Sequence, residues 1–408
     1  DWVAVDHWNT DNPHVHVLVR GVALDGRDLV IDRSYISEGM RARAQERVTV
    51  ELGPRSERDI QQALRREVDA ECWTSLDRRL QKQRDDLGVV DLSPEVDATR
   101  RSNRAFLIGR AQMLERMGLA ERAGPARWTL SADIEPTLRA LGERGDIIKT
   151  MHKAMSGRGP QGALAPLALH GEDENRRVIG RLVERGLHNE LTGEAYAIVE
   201  GVDGRAHYLR FPDLGQTNDA APGAIVETSE WTDRKGRRRS SLLVRSDLPL
   251  ERQVDARGAT WLDRQLLSPR AETLGGGFGA EVRLALDERR DRLVDQGLAK
   301  RHGKSVTLAR NLLGTLRKQE LDSAGEALAA RYGRISRPVA EGEHVSGTYR
   351  EHITLASGRF AMIDDGVGFQ LVPWRRDLER HLGKEIAGKV NARGGVDWNF
   401  ARSRGPVI

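Results

Sequence analysis

Leu114-Glu115-Arg116-Met117-Gly118-Leu119-Ala120 and Leu293-Val294-Asp295-Gln296-Gly297-Leu298-Ala299 carry the reading that decides the architecture. Gly124 and Thr129-Leu130 follow the first, and Gly303 and Thr307-Leu308 follow the second. In each, helical spacing ends at a glycine, which leaves a helix in a left-handed conformation without steric cost, and strand spacing comes next. A second pair recurs in the same order. Leu191-Thr192-Gly193-Glu194-Ala195-Tyr196-Ala197-Ile198 matches Leu355-Ala356-Ser357-Gly358-Arg359-Phe360-Ala361-Met362 with one residue inserted. A helix, a glycine turn, two short strands and a β-rich stretch, met twice, predict a duplicated unit of winged helix plus small β-barrel.

Outward from these stretches the chain divides into segments of an α+β protein. Residues 98–156 read as the first winged-helix-like module, with Phe106 to Leu114 as its recognition helix. Residues 169–250, with Tyr196-Ala197-Ile198-Val199, His207-Tyr208-Leu209 and Ala224-Ile225-Val226 between turns, read as the first small barrel. Residues 258–334 and 335–408 read as the second pair. Gly275-Gly276-Gly277-Phe278-Gly279 lacks the lysine and hydroxyl of a phosphate loop and reads as a flexible linker into a helix from Ala280. Upstream, Ile60, Leu64, Val68, Cys72 and Leu76 keep helical spacing in a charged stretch, which predicts one long exposed helix within a linker over 57–97. Residues 2–8 and 14–20 are β-rich runs around the turn-forming Asn9-Thr10-Asp11-Asn12-Pro13, so they predict a hairpin. A turn at Asp25-Gly26 leads to Leu29-Val30-Ile31. A helix capped by Ser37 then runs to Leu52, before Gly53-Pro54.

At 408 residues and 38% hydrophobic content the chain is long enough for two to four domains with modest cores, which argues against disorder. Lys+Arg number 65 against 61 Asp+Glu, so any basic patch must be local. The single cysteine, Cys72, excludes an internal disulfide and a cysteine-rich zinc finger, fits a reducing cytoplasm, and reads as a small buried hydrophobe. No stretch approaches the roughly 18 apolar residues of a membrane span, so no membrane insertion is expected. The first residues, Trp2-Val3-Ala4-Val5, already read as a strand in progress, and sequence upstream of Asp1 is expected.

The strongest chemical signal is His7-Trp8-Asn9-Thr10-Asp11-Asn12-Pro13-His14-Val15-His16-Val17-Leu18-Val19. Residues two apart on a strand face the same way, so His14 and His16 project together while Val15 and Val17 point to a core. If the loop closes a hairpin, His7 reaches the same face from the partner strand. Three imidazoles leave coordination positions open, the condition of a catalytic metal site. Asp11 is a better candidate than Asp6 to orient a histidine, because Asp6 alternates away from His7 on a regular strand.

This string resembles the third motif of conjugative relaxases, the HUH-type nickases that include the Ti-plasmid border endonuclease. The resemblance covers about the first 55 residues. The remainder, through Leu355 to Asp365 and Leu371-Val372-Pro373-Trp374-Arg375, is similar to the C-terminal extension that follows relaxase domains of this subgroup. It implies that residues 1–56 are the C-terminal part of a relaxase domain, an antiparallel sheet with a helix, in which His7, His14 and His16 hold a divalent cation, magnesium or manganese. The implied activity is site-specific nicking and rejoining of single-stranded DNA at an origin of transfer, by a tyrosine upstream of the histidines. The implied partners are relaxosome accessory proteins and the coupling protein of a type IV secretion channel, in the cytoplasm. Tyr35 is the only tyrosine near the triad in this chain and is the alternative nucleophile. A catalytically incomplete DNA-binding accessory protein of the relaxosome is the alternative function. Arg234, Lys235, Arg237, Arg238 and Arg239 form the densest basic run, suited to phosphates or to a solvated hairpin tip. Trp261, Trp374 and Trp398 suit a core, or base stacking where exposed, and His152, His170, His188 and His207 show no ligand spacing.

Overall fold

The computed structural model describes residues 2–7, 14–23, 26–94, 98–157, 165–169, 177–233, 235–269, 272–303, 305–392 and 394–400. The fold is mixed α and β, in two compact units, Asp1–Glu143 and Arg144–Ile408.

The first unit opens with strands β1 (Trp2–His7) and β2 (His14–Val19), paired antiparallel as expected. Val15 and Val17 are about half exposed, against the expectation of a core. Leu29-Val30-Ile31 forms no strand. Helix starts ahead of Ser37, which lies within a π-helical turn, Tyr35–Gly39, that runs into α1 (Met40–Leu52). Asp32 rather than Ser37 serves the helix start: its carboxylate accepts the Ser34 backbone N–H at 2.8 Å and its carbonyl accepts from Ile36.

The long exposed helix expected over 57–86 is two helices, α2 (Glu57–Val68) and α3 (Ser75–Lys82), broken over residues 69–74. Thr74 causes the break. Its hydroxyl accepts the Asp77 N–H while the Asp77 carboxylate accepts the Thr74 N–H, a reciprocal cap that starts a new helix. Leu64, Leu76, Leu80 and Leu92 are buried in one core with Leu107, Leu114, Trp128 and Leu138, so residues 57–94 belong to the helical module itself. That module adds β3 (Val89–Asp91), α4 (Ala98–Arg116), β4 (Ala120–Gly124), β5 (Arg127–Leu130) and the start of α5 (Ile134–Ser156), with the strands in the order β3-β5-β4. Gly118 takes φ +73° at the end of α4, and Leu119 N–H closes back on Leu114 at 2.8 Å, the left-handed exit the sequence requires.

In the second unit, strands β6 (Leu167–Leu169), β7 (Ile179–Asn189), β8 (Glu194–Gly201), β9 (Ala206–Phe211), β10 (Ile225–Thr232) and β11 (Arg238–Ser246) form a sheet ordered β11-β10-β7-β8-β9-β6. Helices α6 (Leu250–Asp255), α7 (Trp261–Leu266) and α8 (Phe278–Asp295), the hairpin β12 (Ala299–His302) with β13 (Ser305–Leu308), and α9 (Leu312–Tyr332) repeat the helical module. A second sheet follows from β14 (Ile335–Ser336), β15 (His344–Leu355), β16 (Gly358–Asp364), β17 (Gly368–Pro373), β18 (Glu385–Val390) and β19 (Val396–Asn399). Its order, β19-β18-β15-β16-β17-β14, is that of the first sheet strand for strand, and β6 with β9 and β14 with β17 are the parallel pairs in each. Among the described residues neither pair of end strands meets, so both sheets are open where barrels were expected.

The two copies share buried surface. Ile179 and Ile225 of the first sheet and Val202 in the turn after β8 lie in one cluster with Trp261, Phe278 and Val282 of the second helical set. Arg181, buried, joins Glu200 at 2.7 Å and Glu281 at 2.9 Å over the Phe278 ring. The glycine-rich stretch expected to be a flexible linker is docked instead. Gly275 N–H bonds Val202 O at 2.8 Å, and a Cβ on Gly275 would stand 2.1 Å from the Asp203 carbonyl oxygen, so only glycine lets the backbones approach.

Candidate functional site

The hairpin forms because Trp2, Val3, Val5, Val15, Val17 and Val19 are strand formers on either side of a turn. Its register pairs His7 with His14, Val5 with His16 and Asp6 with Val15. Directly opposed residues and residues two apart share a face, so positions 7, 14 and 16 fall on one face of the ribbon and Asp6 on the other. His16 is half-buried. The side chains of His7 and His14, and Asp11 altogether, lie outside the described residues, among which no group of three metal-ligating side chains occurs. Tyr35 is half exposed on the π-helical turn, and its ring covers Gly39 so closely that a Cβ there would stand 2.6 Å from the ring.

The basic run lies at the tip between β10 and β11, with Arg234 outside the described residues. Asp233 organises the tip. Its carboxylate accepts the backbone N–H groups of Lys235 at 2.8 Å and Arg237 at 3.0 Å and the guanidiniums of Arg237 and Arg239. The Arg237 N–H, then that of Lys235 and the two guanidiniums, hold its pKa down to about 2. Arg238 stands 3.5 Å from Glu230, so all three of these arginines meet a carboxylate and the run is less basic than its sequence. At the β4–β5 hairpin, Arg127 pairs with Asp91 at 2.8 Å, and Arg122 stands 3.6 Å from Glu115 over the Trp128 ring. Helix α4, expected as a recognition helix, presents Leu107, Arg110, Ala111 and Leu114 to the core of its own module.

Sequence reasoning missed the most ordered polar groups. Arg110 is fully buried, and all its donors are used: two bonds to Asp77 and three to the carbonyls of Val68, Ala70 and Cys72. Arg289 is buried in the same way, with two bonds to Asp263 and three to the carbonyls of Val254, Ala256 and Gly258. Thr260 and Asp263 repeat the reciprocal cap of Thr74 and Asp77. The signal was present, since Val68-Asp69-Ala70, Thr74, Leu76-Asp77-Arg78 and Leu80 recur as Val254-Asp255-Ala256, Thr260, Leu262-Asp263-Arg264 and Leu266. Of the remaining histidines, His170 lies outside the described residues. His207 is buried against Asp203 at 2.9 Å and His188 meets the Tyr208 hydroxyl at 2.9 Å, both packing arrangements. Trp261 is core, and Trp374 and Trp398 pack against the core of the second sheet. Cys72 is half-buried.

Among the described residues no helix is long and apolar enough to cross a membrane. Searches of curated proteins and of solved structures found no match. Residues 107–241 and 230–407, two successive stretches that together span most of the chain, match the model of a family described as a protein of unknown function, DUF3363, and the chain belongs to that family.

Proposed function

We propose that this chain belongs to a DNA relaxase, a nickase and strand-transfer enzyme acting on single-stranded DNA at an origin of transfer, with His7, His14 and His16 as its metal ligands. The observation that carries this reading is the β1–β2 register, which sets those positions on one face of a two-stranded ribbon. Three imidazole donors fit a divalent cation, magnesium or manganese, with coordination positions left for substrate. Bound there, the cation would polarise a phosphodiester oxygen and offset the charge that develops on it. The histidines themselves orient the site, and the strand pairing fixes their spacing. Tyr35, its ring laid on Gly39, fits packing better than attack, so the nucleophile is assigned to none of the described tyrosines. Single-stranded DNA, relaxosome accessory proteins and a secretion coupling protein are the partners this reading entails.

Titration calorimetry with manganese tests it. The chain is expected to bind at micromolar concentration or tighter, and a His14→Ala, His16→Ala variant to lose that heat. Equal heats from both proteins would remove the metal centre. Metal binding without cleavage of single-stranded DNA would favour the accessory DNA-binding reading.

A further inference from the structure

A groove of about 430 Å³ opens between the start of α9, the segment after β14 and the turn joining β18 to β19. Its walls are aliphatic, from Val339, Leu371, Val372, Pro373, Val390 and Val396. Its charged groups are mostly spoken for: Lys318 pairs with Asp322 at 2.6 Å and Arg337 with Asp365 at 2.9 Å. Arg317 is different. It is half-buried, its guanidinium carbon stands 5.2 Å from the centre of the Phe360 ring, and among the described residues no carboxylate or carbonyl takes its N–H groups. Burial lowers its pKa from the ordinary arginine value, and that of Arg264 is lowered by burial first and then by the charge of Arg317.

The first copy shows what a satisfied arginine looks like at this position. Leu138-Arg139 on α5 corresponds to Leu316-Arg317 on α9, both leucines being fully buried. Arg139 bonds Glu135, one turn earlier, at 2.7 Å, whereas Leu313 stands one turn before Arg317. A half-desolvated guanidinium without a counter-ion costs free energy that a bound anion recovers.

We propose that this groove binds a small free aliphatic carboxylic acid, with its carboxylate on the Arg317 fork and its apolar body along the valine, leucine and proline walls. The volume lies in the range of small-molecule sites. A planar guanidinium matches a carboxylate bidentately. The aliphatic lining offers no ring on which a nucleobase would stack, and Asp322 and Glu341 on the wall oppose a polyanion. The inference stands apart from the histidine hairpin and does not depend on it.

Calorimetry of the full chain with sodium hexanoate, and separately with hexanamide, tests it. Saturable binding of hexanoate alone is expected. Arg317→Gln should weaken it at least tenfold, and Arg317→Lys, which keeps the charge but not the fork, by less, with thermal melts of both variants matching the parent. Four results would overturn the proposal: no hexanoate binding by a normally melting protein, equal binding of acid and amide, hexanoate affinity that Arg317→Gln leaves unchanged, or Arg317-dependent binding of a single-stranded oligonucleotide in its place. A peptide ending in a free leucine carboxylate that binds more than tenfold tighter than hexanoate would replace the small acid by a protein terminus.

Discussion

Cys72 in the first helical set stands against Gly142, and Gly258 in the second stands against Glu320. The positions correspond, since Cys72 and Gly258 each give a carbonyl to the buried arginine of their own copy. A Cβ on Gly142 would fall 2.9 Å from the Cys72 Cβ, and one on Gly258 would fall 1.9 Å from a Glu320 oxygen. Each copy therefore pairs one side chain with one glycine, but on opposite partners. The larger residue has acquired work in the second copy, where the Glu320 carboxylate accepts the Ala356 and Ser357 N–H groups at 2.8 and 2.9 Å. The arginine networks beside them are the same bond for bond. Interior polar groups that must all be satisfied resist change together, whereas a contact with one open side tolerates exchange if volume is conserved.

The largest effect should come from the part that does not differ. Asp77→Ala and Asp263→Ala each leave a buried guanidinium without its carboxylate and remove a helix cap, so each should cost about 3 to 5 kcal/mol in urea unfolding. The paired change Arg289→Met, Asp263→Leu should cost less than Asp263→Ala alone. A large loss at one site and a negligible one at the other would break the equivalence of the copies. A smaller effect is expected at the exchanged pair. Gly258→Ala should cost about 1 to 3 kcal/mol by displacing the Glu320 carboxylate. Adding Glu320→Gly should return part of that loss in a double-mutant cycle, and additive losses would mean that the two residues do not share the space.

The smallest effect distinguishes the hairpin tips of the two sheets. Asp233 and Asn391 hold the same place: each side chain accepts the N–H four residues on, at 3.0 Å, and each carbonyl accepts from Gly236 or Gly394. Only the first titrates. The Asp233 pKa is lower in the folded chain than its ordinary 3.8, so its contribution is complete above that value and is lost as pH falls through about 2. Amide exchange at Lys235 and Arg237, compared with their intrinsic rates, should show protection falling between pH 4 and pH 2, while Gly394 and Gly395 keep theirs. Equal loss at both tips would mean that Asp233 is not the cause.

The duplication was legible because glycine punctuates it. Gly118 and Gly297 sit at φ +73° and +75°, and no other residue leaves a helix that way so readily. The break in the long helix was not legible, because Val68, Cys72 and Leu76 keep a four-residue step across residues 69–74 and only the Thr74 to Asp77 cap marks the new start. The arginine networks were hidden for another reason: Arg110 lies 33 residues from Asp77, and an arginine amid charged neighbours reads as surface until its donors are counted. Open sheets were mistaken for barrels because alternation along strands says which face is buried but not whether the end strands meet. At the hairpin the sequence indicated that the two runs pair and that His7 shares a face with His14 and His16, since turn residues lie between two β-rich runs, while the His7–His14 register itself comes from the structure. The sequence misjudged Val15 and Val17, whose alternation implies a covering layer.

The shared cluster of Ile179, Val202 and Ile225 with Trp261, Phe278 and Val282 gives the duplication an unusual grammar. The copies are dovetailed rather than set end to end, so the point where the sequence starts over is not a point where the solid can be parted. Cleaving the chain between Leu266 and Phe278 would sever a covalent link and leave a buried apolar seam to hold the pieces together. From Arg144 onward, the smallest piece that keeps all its joints is the pair.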